Sequence, residues 1–200
     1  MYIPKASVKK INSLIDLRKS PEYIIQVKKI VRIEFERIKD KLINNFERHK
    51  ITQEIDAGSN ASNTSGTLGG YGNLFAYIGF EESTKPTEPI RELLNGIFIQ
   101  STVFDKNGGS IVYVNYPTAR DIFNVTPLPW ADGRSWAEGI EKGLAGFGFF
   151  LSTESSVSRS GGGIQTKKQN KKGKFKNTNY ISSLIKEFER DIIKLNGLKI

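Results

Sequence analysis

Few side chains in this 200-residue chain are equipped for covalent or metal chemistry. The absence of cysteine excludes disulfides, thiolate catalysis and Cys-based zinc sites, and one histidine, His49, cannot supply a histidine cluster. His49 stands between Arg48 and Lys50 at the expected end of a long helix, where an imidazole meets the helix C-terminal dipole. No positioned partner is announced for it, so a capping role is expected and general-base chemistry is not. The adjacent carboxylates Glu81 and Glu82 lie just beyond an expected strand, where neighbours point to opposite faces. Two glycine runs invite comparison with phosphate cradles. Gly69-Gly70-Tyr71-Gly72 precedes an expected strand and lacks the P-loop spacing, and Gly161 to Gly163 has Lys167 nearby but no preceding strand. Both read as turns. Neither a catalytic residue, a metal ligand nor a cofactor site is expected.

Charge is the one property that is concentrated. The formal net charge is +9 and the pI about 9.6, which points to contact with nucleic acid or another acidic surface. Between Ser155 and Asn177 lie six lysines and Arg159 with no Asp or Glu, so this segment carries +7 of the +9. Its composition fits either a solvated linker or a phosphate-binding arm, in which Arg159, Lys167, Lys168, Lys171, Lys172 and Lys174 make the contacts. Phe175 is its one aromatic residue, so any nucleic acid would be held by charge and without sequence preference.

The elements that must position these groups follow from periodicity. Ser20 can cap, Pro21 suits the first helical position, and Ile24, Val27, Val31, Phe35, Ile38, Leu42 and Phe46 recur in steps of three and four. That spacing predicts a helix of roughly 28 residues, about 42 Å long. Residues 57–72 (AGSNASNTSGTLGGYG) lack apolar side chains for a core and are expected to be a loop ordered only by neighbouring subunits. Asn73 to Phe80 alternates as a half-buried strand does. Pro89 to Asn95 predicts one or two helical turns, and 97–104, a DKNGG turn and 110–116 predict a β-hairpin. Ser135-Trp136-Ala137-Glu138 has capping-box spacing and opens a helix with Trp136, Ile140, Leu144 and Phe147 on its apolar side. Within it, Gly139, Gly143 and Gly146 either form a stripe for close backbone approach or mark the helix end. Ile181, Leu184, Ile185, Phe188, Ile192 and Leu195 predict a last helix.

The expected fold is α+β. A small antiparallel or mixed sheet of three or more strands packs with the long N-terminal helix and the Gly-bearing helix, with a C-terminal helix in addition. The expected organisation is an arm at 1–19 with a short helix over Val8 to Leu17, a core domain at 20–154, a basic flexible linker at 155–177 and the last helix at 178–200. No apolar run reaches signal-peptide or membrane-spanning length, so a protein made in a cytoplasm without membrane contact is expected; the Asn-x-Ser/Thr triplets at Asn60, Asn63 and Asn124 are then chance.

Three stretches, NASNTSGTLGGYGNLFAYIGF (60–80), LPWADGRSWAEGIEKGLAGFGFFL (128–151) and SRSGGGIQTK (158–167), resemble virion structural proteins of tailed bacteriophages. The element order also resembles the neck and tail-completion proteins that join phage heads to tails. The resemblance implies an architectural role without catalysis in the virion. Its partners would be other copies in a ring, neighbouring connector, neck or tail proteins, and packaged DNA through the basic segment. On this reading Leu68, Tyr71, Trp130, Trp136, Gly139 and Gly143 are the expected subunit interface.

Overall fold

The computed structural model describes residues 17–69, 72–106, 108–142 and 175–196 in full, and the backbone at 149–152 and 164–169. The fold is α+β, with seven α-helices and six short strands among the described residues. The first helix, α1 (Pro21–Arg48), matches the periodicity of its sequence: the hydroxyl of Ser20 accepts from Tyr23 N–H at 3.2 Å, and Val27, Val31, Phe35, Ile38, Leu42 and Phe46 are all buried. The chain then steps through His49, in extended conformation, into α2 (Lys50–Asp56) and a 3-10 turn at Gly58–Asn60. After the loop come α3 (Leu74–Ile78) and α4 (Glu88–Asn95), then β1 (Phe98–Phe104) and β2 (Ser110–Asn115). These are followed by α5 (Ala119–Asn124), β3 (Pro127–Leu128), β4 (Ala131–Ser135) and α6 (Trp136–Lys142). The described chain closes with β5 (Phe149–Ser152), β6 (Ile164–Gln169) and α7 (Ile181–Ile193).

Two expectations are corrected here. Within residues 73–80, Leu74–Ile78 form a helix, α3, instead of a strand. Asn73 Oδ1 accepts from Ala76 N–H at 2.8 Å to cap its start, and Gly79, at φ 86°, ends it in the left-handed conformation. All five helical residues are buried, so every position is apolar and neither the period of a strand nor that of a helix is expressed. The single sheet of three or more strands is also not found among the described residues. The strands pair two by two, antiparallel, as β1–β2, β3–β4 and β5–β6.

The described residues fall into two compact units interleaved in sequence. The first is drawn from 17–41, 97–116 and 187–196. In it the Tyr23 hydroxyl donates to the Gly108 carbonyl and Lys39 Nζ donates to the Ile97 carbonyl at 2.8 Å, which lays α1 along the β1–β2 ribbon. The end of α7 lies along β2: the rings of Tyr116 and Phe188 meet edge to face at 5.5 Å, and Asn196 Oδ1 accepts from Val112 N–H at 3.0 Å.

The second unit, 42–96 and 117–186, contains the larger core around Phe46, Ile51, Ile55, Ile90, Ile122 and Trp136. Tyr180 is buried against Phe46, His49 and Trp136, and its hydroxyl shares a 2.7 Å hydrogen bond with Thr52. Burial pushes its phenol well above the usual tyrosine range.

Part of the expected basic linker is organised. Residues 164–169 form β6 against β5, the Phe175 ring stacks on Tyr77 at 5.9 Å, and Lys176 N–H donates to the Thr67 carbonyl. The expected helix over Val8 to Leu17, apart from Leu17, lies outside the described residues.

Candidate functional site

Glu54 is 1% exposed, and its carboxylate is fully engaged: Oε1 accepts from Asn63 Nδ2 and Leu74 N–H and Oε2 from Ser65 N–H, each at 2.8 Å. This is a buried charge satisfied by converging donors from its own chain, and it holds the Gly/Ser/Asn loop to α2. It also fills the start of α3, where Leu74 N–H goes to Glu54 and Ala76 N–H to Asn73. Two of the amides at the start of this five-residue helix are therefore engaged within the chain.

Arg91 forms the second cluster. Its guanidinium grips Glu47 with two bonds of 2.7 and 2.9 Å, donates to Thr87 Oγ1 at 2.7 Å and pairs with Asp56, while lying 5.8 Å from the Phe46 ring centre. These carboxylates hold its pKa above the ordinary arginine value. The third cluster fixes the start of α7: Glu141 accepts from Tyr180 N–H, Ser182 N–H and the Ser182 hydroxyl. His49 sits beside it, with its ring 4.7 Å from Tyr180. Its Nδ1 accepts from Ile51 N–H at 3.3 Å, so the imidazole caps the start of α2 and not, as its position suggested, the end of α1. Burial lowers its pKa, partly opposed by its bond to the Asn179 backbone and by the Glu141 charge. All three clusters tie segments together, and their polar atoms are turned to one another. Among the described residues no three His, Asp or Glu side chains are grouped to hold a metal.

The surface is more informative. Ten large apolar residues are exposed among those described, and nine of them (all but Trp130) belong to the first unit. Four lie on the β1–β2 ribbon. In its register Phe98 pairs with Asn115, Ser101 with Tyr113 and Val103 with Ile111, and a bulge at Gln100 shifts the count by one. Partners in an antiparallel pair share a face, so the bulge brings Phe98 onto the face that already carries Val103, Ile111 and Tyr113. These four are 51%, 50%, 42% and 51% exposed in the order Phe98, Val103, Ile111, Tyr113. The opposite face carries Val112, which is buried, together with Ile99, Thr102, Phe104 and Val114, which are half-buried. On α1, Ile25, Ile30 and Ile33 are also exposed, opposite the buried stripe.

The sequence-derived interface residues are distributed differently. Trp136, 1% exposed, Gly139 and Leu68 are buried within the same chain, which removes them from its surface. Trp136 is there to fill the core against Phe80 and Tyr180. Trp130 is 40% exposed and donates its indole N–H to the Ile78 carbonyl at 2.7 Å. Tyr71 and Gly143 lie outside the described residues, as do Arg159, Lys171, Lys172 and Lys174. Lys167 and Lys168 stand on β6. The ribbon residues were not singled out from sequence. Their signal was present: 97–104 and 110–116 are apolar on both alternating sets, and a two-stranded ribbon that is apolar on both faces needs cover on both.

No protein-family model, curated protein or solved structure matches the chain.

Proposed function

We propose that the protein is an architectural, non-catalytic subunit of a tailed-phage particle, located at the neck or tail-completion station and joining head to tail within a ring. The observation that carries the architectural reading is the concentration of nine of the ten exposed large apolar residues in one unit, whose surface then requires partners. The phage assignment rests on the resemblance of 60–80, 128–151 and 158–167, and a subunit that offers two different complementary patches closes a ring when the rotation permits. Mass spectrometry of purified particles, with imaging of particles made without the protein, tests it. The protein should be found in the particles, and its loss should leave filled heads and tails unjoined or tails incomplete. Intact infectious particles without it overturn the joining role.

A second reading, non-sequence-specific nucleic-acid binding, is favoured by one observation: the clustering of +7 between Ser155 and Asn177. Binding to unrelated DNA sequences that persists at physiological salt supports it over loose counterion exchange.

A further inference from the structure

We infer that β1 is a pairing edge for β1 of a second copy of this chain, so that two ribbons join into one four-stranded antiparallel sheet. The hydrogen-bond phase of the ribbon defines which groups point outward. Asp105 N–H donates to the Gly109 carbonyl at 2.9 Å, so the 105/109 pair is hydrogen-bonded across the ribbon. Counting back by twos, 103/111 and 101/113 face inward, while the N–H and C=O of 102, 104, 110 and 112 point out of the ribbon. On the β2 side that prediction is met by Asn196, whose Oδ1 takes the outward Val112 N–H. On the β1 side nothing among the described residues partners the outward N–H groups of Thr102 and Phe104.

The two edges also differ in protection. Exposed edge strands are normally blunted by lysine, proline or an inward charge. β1 reads FIQSTVF: seven residues with no charge and no proline. Antiparallel pairing of this strand with itself sets no like charges opposite one another, and it extends the apolar face of Phe98, Val103, Ile111 and Tyr113 across both copies. Among the described residues the β1 edge has no partner and the β2 edge is engaged at its midpoint by Asn196, so pairing stops at two copies and does not propagate into a fibre. This deepens the architectural reading by naming one of its contacts.

Sedimentation of the full chain and of three variants tests the pairing. Thr102→Pro removes an outward N–H and leaves the inward ladder intact, as proline on an edge strand permits. Val103→Lys and Val103→Glu place charge on the exposed face. Each variant should weaken dimerisation by about tenfold or more, with the circular dichroism of the folded chain retained. Pairing the outward groups of Thr102 with those of Phe104 in the second copy sets Val103 opposite Val103 across a two-fold axis, so mixing the Lys and Glu variants should restore a dimer. A monomeric parent, or a dimer indifferent to Val103→Lys and Val103→Glu, overturns the pairing; so does a Lys/Glu mixture that remains monomeric. An oligomer formed through another face leaves the architectural reading standing, whereas normal particles without the protein overturn that reading and leave the pairing intact.

Discussion

Glu54 shows how one side chain organises a segment with no core of its own. Three donors from Asn63, Ser65 and Leu74 converge on it, and Ser65 Oγ passes the network on to Thr67 Oγ1 at 2.9 Å. Glu54→Ala strands those donors, and it should lower unfolding free energy by about 3 kcal/mol and open the loop at 58–69 to protease. Denaturant unfolding and timed proteolysis check both; an unchanged midpoint would show the donors satisfied by water. His49 gives a pH signature of opposite origin. Its folded pKa lies below the 6.5 of the unfolded chain, so its contribution is fully present above pH 6.5 and is lost as the pH falls from there through the folded value. Protonation removes the Nδ1 lone pair that caps α2. Thermal midpoints between pH 7.5 and 5 should fall for the native chain and flatten for His49→Asn, which keeps a cap acceptor and cannot titrate. From sequence, His49 was readable as a capping residue but not as the cap of the following helix, because a one-residue break after 28 helical residues leaves no mark in the periodicity. The role of Glu54 was not readable at all, since its donors lie 9 to 20 residues downstream in a stretch that looks featureless.

The elements that were legible are those with a solvated face. In α1 and α7 the apolar residues stand at helical spacing among charges, and the hairpin carries its turn residues between two alternating runs. In α6, Ser135 caps as the box spacing implied, accepting from Glu138 N–H at 3.1 Å, although the Glu138 carboxylate pairs with Lys142. α3 was misread because burial on all sides erases amphipathicity, yet its two end residues, Asn73 and Gly79, were signals of a helix start and stop. Gly79→Ala should cost about 1 kcal/mol by forcing a left-handed residue. The added methyl would stand 3.5 Å from the Trp130 ring, an ordinary contact, so conformation and not crowding sets the loss. Trp130→Phe should cost about 1 kcal/mol through the lost bond to Ile78. Chemical denaturation of Gly79→Ala with and without Trp130→Ala distinguishes a strained cap from a merely tight one, since removal of the ring would rescue Gly79→Ala only if crowding were the cause.

Charge and chain order are properties of the molecule as a whole. If the segment from Ser155 to Asn177 neutralises phosphates with all seven cations, binding to duplex DNA should fall with a log–log salt slope of about −6, independent of sequence. A slope near zero would place the partner of this segment elsewhere. Division into two units was invisible in the sequence, because no composition shift marks residues 41, 97, 116 or 187; the units are defined by contacts between segments far apart in the chain.

That interleaving has a consequence for synthesis. A lone two-stranded hairpin is marginal in water, and the ribbon gains its backing from α1 and from the end of α7. While the ribosome has not yet released residues 187–196, the nascent chain holds β1 and β2 without one of the two helices that shape them. The ribbon therefore gains the second of its two backing helices only after the last described segment has been made. Ribosome-arrested chains ending before Glu187 should show an unprotected β1–β2 segment by hydrogen exchange, and chains extended past Asn196 should show it protected.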